Sequence, residues 1–95
     1  MNEMHTYIAG SPYHEGSKER IQTLLLEEEL KLVREPKNPH DRNAVAVHDD
    51  KGLKLGYVPR ADAPTVAKVL DRGLPSCAFY RGAPHSTSIM IYWEV

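Results

Sequence analysis

The side chains best suited to chemistry gather in one stretch, residues 34–47, which reads Arg-Glu-Pro-Lys-Asn-Pro-His-Asp-Arg-Asn-Ala-Val-Ala-Val. Pro36 and Pro39 each push the residue before them toward extended backbone. Asn38 and Asp41 can bond backbone groups two residues on, which holds a tight loop without a helix. From Ala44 onward the residues alternate as in a strand, Val45 and Val47 to one side, Ala44 and Ala46 to the other. A rigid, polar, partly basic loop at the edge of a sheet is a place to bind something. Asn38 can both donate and accept at a base or sugar edge. The competing reading of Asn38, Asp41 and Asn43 is that they only satisfy loop backbone groups, and Asp41 can do both.

Other chemistries find less support. His14, His40 and Asp41 could be imagined as an acid–base set for phosphodiester cleavage. Adjacent His40 and Asp41 point apart in an extended chain, however, and no nucleophile lies near them. His5, His14, His48 and His85 lack metal-ligand spacing with Cys77, so no zinc site is expected. No glycine-rich loop ends in Lys-Ser or Lys-Thr, so no nucleotide phosphate cradle is expected. The chain therefore reads as a binding module that is not an enzyme and needs no cofactor.

Composition sets the bounds. A chain of 95 residues fits one domain spanning residues 1–95, near the small end of what one core supports. No apolar run is long enough to span a bilayer, and the start of the chain lacks the basic-then-apolar pattern of a signal peptide. A lone Cys77 forms no internal disulfide and suits a reducing compartment, so a cytoplasmic location is expected. Twelve basic and thirteen acidic side chains leave a net charge of -1. Nonspecific DNA binders usually carry a basic excess, because phosphate neutralisation supplies most of their affinity. A nucleic-acid role here needs segregated charge. Glu27, Glu28 and Glu29 are consecutive and Asp49 adjoins Asp50, whereas Arg34, Lys37, Arg42 and Arg60 flank the loop and the next strand end.

The elements that must position these residues are short. Strands are expected at residues 6–9, 30–34, 44–47, 53–58, 76–81 and 88–95. Leu53, Leu55 and Tyr57 share a face of the fourth, which favours Tyr57 as a core residue over a ligand contact. Ile89, Ile91, Trp93 and Val95 share a face of the sixth, and Trp93 is read as core. Ser17 is expected to cap a helix over residues 17–26. A second helix follows Pro59, with Asp62 near its start, Pro64 in its first turn, Ala63, Val66, Ala67 and Leu70 on its buried face, and Gly73 as its stop. Strands outnumber helices, so the expected fold is mainly β with one or two helices: a small six-stranded antiparallel barrel with a helix packed on it.

Several of these pieces together resemble the HIRAN domain family. They are Tyr7-Ile8-Ala9-Gly10, Tyr13-His14, the Arg-Glu-Pro-x-Asn-Pro and Asp-x-Asn-Ala pieces of residues 34–44, Gly56-Tyr57-Val58-Pro59, and the helix ending at Gly73. The resemblance runs from about Thr6 to Gly73. It implies an OB- or SH3-like barrel that recognises single-stranded DNA at a free 3′ hydroxyl, in association with DNA repair or processing and with DNA-processing proteins as further partners. By resemblance, Tyr13 stands where the family places a base-stacking tyrosine, and His40 where it usually carries another. Asp41 matches the aspartate that accepts from the terminal hydroxyl, and Arg60 the base that meets a phosphate. His40, and Pro12 where characterised eukaryotic members have arginine, depart from the pattern. The alternative is a protein-binding barrel whose exposed edge accepts a peptide strand without any nucleic acid.

Overall fold

The computed structural model describes residues 1–10, 14–82 and 86–95. Six antiparallel strands form one sheet: β1 (Asn2–Tyr7), β2 (Glu29–Arg34), β3 (Val45–His48), β4 (Lys54–Tyr57), β5 (Ser76–Tyr80) and β6 (Ser88–Trp93). Their order is β1-β6-β5-β2-β3-β4. Two helices complete the chain, α1 (Ser17–Gln22) and α2 (Ala63–Asp71). The expected mainly-β, six-stranded antiparallel architecture is the one observed.

Strand β2 makes the sheet curl. Its first two residues, Glu29 and Leu30, pair with Phe79 and Ala78 of β5, and Lys31 to Arg34 pair with β3 on the other side. The curl brings the two outer strands together just beyond their ends. Ala9 and Tyr57 exchange both backbone bonds, N to O at 2.7 and 2.8 Å. That approach requires glycine next door, because a Cβ on Gly56 would lie 2.4 Å from the Ala9 carbonyl oxygen and 2.7 Å from the Ile8 Cγ2.

The core fills the curl with Leu30, Val45, Val47, Leu55, Ile89 and Ile91. All four of Ala44, Val45, Ala46 and Val47 are buried, so the alternation of residue types does not become an alternation of exposure. Helix α2 packs against β2 and β3, and its Val66 and Ala67 join the same core. On α2, Ala63, Val66, Ala67 and Val69 are buried, while Leu70 packs half-buried against the core.

Local chemistry fixes the ends of α2. The Pro59 carbonyl accepts from the Asp62 and Ala63 amides at 2.9 Å and starts it. Asp62 occupies the cap position, but its carboxylate instead accepts from the Thr6 hydroxyl at 2.7 Å, tying the helix start to β1. At the other end Gly73, at φ 68, lets the Leu74 amide reach back to the Val69 carbonyl, a Schellman stop.

Helix α1 corrects the expectation over residues 17–26. Its cap is Gly16 at φ 80, and Ser17 is buried and donates to the Leu55 carbonyl of β4. The helix stops at Gln22 because the chain is drawn to β5: the Glu27 amide donates to the Tyr80 carbonyl and the Tyr80 amide to the Glu28 carbonyl. Leu25 and Leu26, expected within the helix, lie outside it at 72% and 67% exposure. The first strand begins earlier than expected, at Asn2, since its ladder to β6 uses main-chain bonds and asks little of its polar side chains. The sixth ends at Trp93, and Val95 is exposed.

Candidate functional site

The loop from Pro36 to Asn43 is built by its own side chains. Asn38 Oδ1 accepts from the His40 and Asp41 amides at 2.8 and 3.2 Å, and Asp41 Oδ1 accepts from the Asn43 amide at 2.9 Å. Backbone bonds from Asn38 to Glu35 and from Ala44 to Asp41 close the two turns. The loop-satisfying reading of Asn38 and Asp41 is thus correct as far as it goes. It leaves Asp41 Oδ2 without a hydrogen-bond partner among the described residues, and Asp41 half-buried.

This loop forms one wall of an open pocket of about 570 Å³. Asn38, His40 and Asp41 of the loop line it together with Tyr57, Pro59 and Arg60 and with Ala9, Gly10 and His14. The Arg60 guanidinium donates to the His40 carbonyl and so clips the loop to the turn between β4 and α2. Four of the five expected site residues, Asn38, His40, Asp41 and Arg60, therefore share one cavity although up to 22 positions separate them. Tyr13, the fifth, lies outside the described residues, as does Pro12.

Tyr57 corrects the expectation that it belongs to the core. It is half-buried and its ring lines the pocket, 5.5 Å from the His14 ring and tilted 54° to it. A register shift beside Val47 and His48 breaks the alternation on β4, so Leu55 and Gly56 are both buried while Leu53 is exposed. The Tyr57 hydroxyl donates to Glu35 Oε1 at 2.9 Å and accepts from Lys54 Nζ at 3.1 Å. Lys54 also meets Glu35 Oε2 at 2.6 Å and lies 5.1 Å from the centre of the Tyr57 ring. His14, Glu35, Lys54 and Tyr57 had no assigned binding role in the sequence. The signals that could have found them are the His14 next to Tyr13 and the Glu of the Arg-Glu-Pro piece.

Charge at the pocket is sorted by these pairings. Burial would raise the Glu35 carboxyl, but bonds from Lys54, Asn38 and Tyr57 outweigh it and hold it below its ordinary value. Glu35 and then Tyr57 raise Lys54 above its own. Arg34, one of the bases expected to flank the loop, is bound to Asp71 at 3.0 Å and to the Ala44 carbonyl at 3.1 Å. Lys37, Arg42 and Arg60 are exposed and have no carboxylate partner among the described residues. Acids are neutralised elsewhere: Arg20 joins Glu28 and Asp49, locking α1 to the turn after β3. Asp49 is 2% exposed and also accepts from the Lys51 and Leu53 amides at 3.0 and 2.8 Å. Among the described residues, no three His, Cys, Asp or Glu side chains gather to hold a metal ion, and no helix is long and apolar enough to cross a membrane.

The model of the HIRAN domain matches residues 1–95. The chain belongs to the HIRAN domain family. Among curated proteins it is 40% identical to the helicase-like transcription factor of Mus musculus over 47 residues, half of this chain. The rabbit (Oryctolagus cuniculus) protein of the same name is 38% identical over an equal length. In each case the match spans 5% of that much longer protein.

Solved structures share this HIRAN fold. A crystal structure of a protein from Lactobacillus plantarum superposes with a TM-score of 0.85 at 21% identity, covering 97% of both chains. The crystal structure of the HIRAN domain of human HLTF gives 0.79 at 21% identity, over 97% of this chain and 75% of that one. The same human domain in its DNA-bound conformation, solved by NMR, gives 0.64 at 19% identity, over 98% of this chain and 73% of that one.

Proposed function

We propose that this HIRAN domain is a binding module for single-stranded DNA that takes up a free 3′ hydroxyl end and serves DNA repair or processing. The observation that carries the reading is the Asp41 carboxylate, with one oxygen bonded to its own loop and the other uncommitted, in a pocket that also holds Arg60 and Tyr57. A carboxylate accepts a bond from a terminal hydroxyl and repels the phosphate that would continue the chain, so Asp41 selects ends over internal positions. Arg60 supplies the charge for the phosphate preceding the end. Tyr13 and His40 offer ring faces to unstacked bases, the His40 face being the smaller. Asn38 mainly shapes the loop, since Oδ1 carries two amide bonds and Nδ2 gives one hydrogen to Glu35. The DNA-bound conformation known for the human HLTF domain of the same fold supports the reading.

A protein-binding barrel is the second reading, and a different surface favours it. Leu25 and Leu26 sit on a turn that puts Glu27 at φ 67, and neither leucine lines the pocket. Amide NMR of the labelled domain, titrated with a short 3′-hydroxyl strand, separates the two. Shifts clustered at Asn38, His40, Asp41, Tyr57 and Arg60, and weakened by added salt, support DNA binding. An unperturbed pocket at low salt removes it.

A further inference from the structure

The Glu of the Arg-Glu-Pro piece has no part in the function as proposed so far, yet its carboxylate takes three bonds beside the pocket. Its carboxylate accepts from Asn38 Nδ2 at 3.1 Å, from the Tyr57 hydroxyl at 2.9 Å and from Lys54 Nζ at 2.6 Å. Its backbone adds bonds with the Asn38 amide and the Ala44 carbonyl. Asn38 belongs to the loop and Tyr57 to β4, and both line the pocket, so Glu35 is the strut between them. Among the described residues Lys54 is the one cation bonded to this strut, and with Glu35 gone it would lose its charge partner while staying beside the Tyr57 hydroxyl and ring.

We propose that Glu35 is a positioning residue for ligand binding. It fixes the Tyr57 ring against the Asn38 loop, and it withholds Lys54 from the phosphate backbone, so that stacking and the end contact outweigh general attraction to strands. The proposal rests on the single-stranded DNA reading. Two effects follow, and they have opposite signs. Losing the strut misplaces a pocket wall and weakens binding. Losing the charge frees a lysine and strengthens binding in a salt-dependent way.

Glu35→Gln separates them, because Gln retains an acceptor for the Tyr57 hydroxyl but not the charge that holds Lys54. In fluorescence anisotropy across a salt series, Glu35→Gln should steepen the salt dependence by about one released ion. In the Lys54→Ala background, where no cation can be freed, Glu35→Ala should weaken binding about tenfold relative to Lys54→Ala alone, within the range for a lost stacking surface. Thermal melting of each variant checks that it is folded. Should Glu35→Ala fail to fold, the Glu35→Gln salt series decides the matter. An unchanged salt slope in Glu35→Gln, or equal affinity of Lys54→Ala and a folded Lys54→Ala/Glu35→Ala, overturns the proposal.

A ligand-free readout keeps it apart from the function itself. If the unmutated domain binds no single strand, the DNA reading has failed. The positioning role then stands or falls on NOEs between the His14 and Tyr57 rings. They should be lost in Lys54→Ala/Glu35→Ala and kept in Lys54→Ala, and their persistence in both overturns it.

Discussion

Gly56→Ala tests whether the closure of the sheet positions the pocket. The added methyl would meet the Ala9 carbonyl oxygen at 2.4 Å and Ile8 Cγ2 at 2.7 Å. The first of these atoms is backbone and cannot turn aside, so β4 must move away from the end of β1. Both bonds of the Ala9–Tyr57 bridge then lengthen or break. A net loss of about 0.5–1.5 kcal/mol for each of the two bonds, with about 1–3 kcal/mol for overpacking, gives roughly 2–6 kcal/mol. That is a large share of the roughly 5–15 kcal/mol typical of a whole domain. At about 4–8 °C per kcal/mol for a domain of this size, Tm should fall by about 10 °C or more. Circular-dichroism melting measures this directly, and urea unfolding should show a lower midpoint with the same slope. Since Tyr57 is the bridge residue, a folded variant should also bind strands more weakly. A drop in Tm under about 3 °C would refute the reasoning, because it would mean the sheet ends are not held together at this point.

The other predictions concern charge and ends. Glu28, Glu35 and Asp49 each titrate below their ordinary values in the folded chain, burial pushing them up and bonds from Leu25 and Arg20, from Lys54 and Asn38, and from Leu53 and Arg20 pulling them further down. The folded state therefore binds fewer protons, and this part of the stability, full at neutral pH, is lost as pH falls through about 4 and below; Asp49→Asn should flatten the decline of the urea midpoint, and an unchanged profile would contradict it. Arg20→Ala leaves the buried Asp49 carboxylate without its cation and should destabilise by about 1–3 kcal/mol in urea unfolding, whereas a change below about 0.5 kcal/mol would show that the Lys51 and Leu53 amides suffice. Asp41→Ala should narrow the preference for 3′-hydroxyl over 3′-phosphate strands in competition binding, and an unaltered ratio removes Asp41 from end selection. Arg60→Ala should reduce the salt slope of binding by about one ion, and no change would place Arg60 with the loop alone.

The loop was legible because its chemistry is local. Asn38 and Asp41 bond amides two and three residues away, which their types and spacing already suggest. The same holds for α2, whose Pro59 start and Gly73 stop lie within a few residues of its ends. What could not be read depends on partners distant in sequence. Tyr57 reads as core from Leu53 and Leu55, but a register shift between Val47 and His48 breaks the alternation of its strand, and Tyr57 lines the pocket. Ser17 reads as a cap, but its hydroxyl serves Leu55, 38 positions away. Arg34 reads as a base flanking the loop, but Asp71, 37 positions on, occupies it. The site followed the same division: the loop was visible, and the strut of Glu35, Lys54 and Tyr57 behind it was not, since it joins the end of β2 to β4, with Tyr57 22 positions from Glu35.

The most direct test of end recognition is one anisotropy titration of the unmutated domain at low salt, with two labelled single strands of equal sequence, one ending in a 3′ hydroxyl and the other in a 3′ phosphate. The account predicts saturable binding of the hydroxyl strand and clearly weaker binding of the phosphate strand, because Asp41 accepts from the first end and repels the second. Equal affinity for the two would contradict end recognition, and no binding to either would contradict the nucleic-acid reading itself.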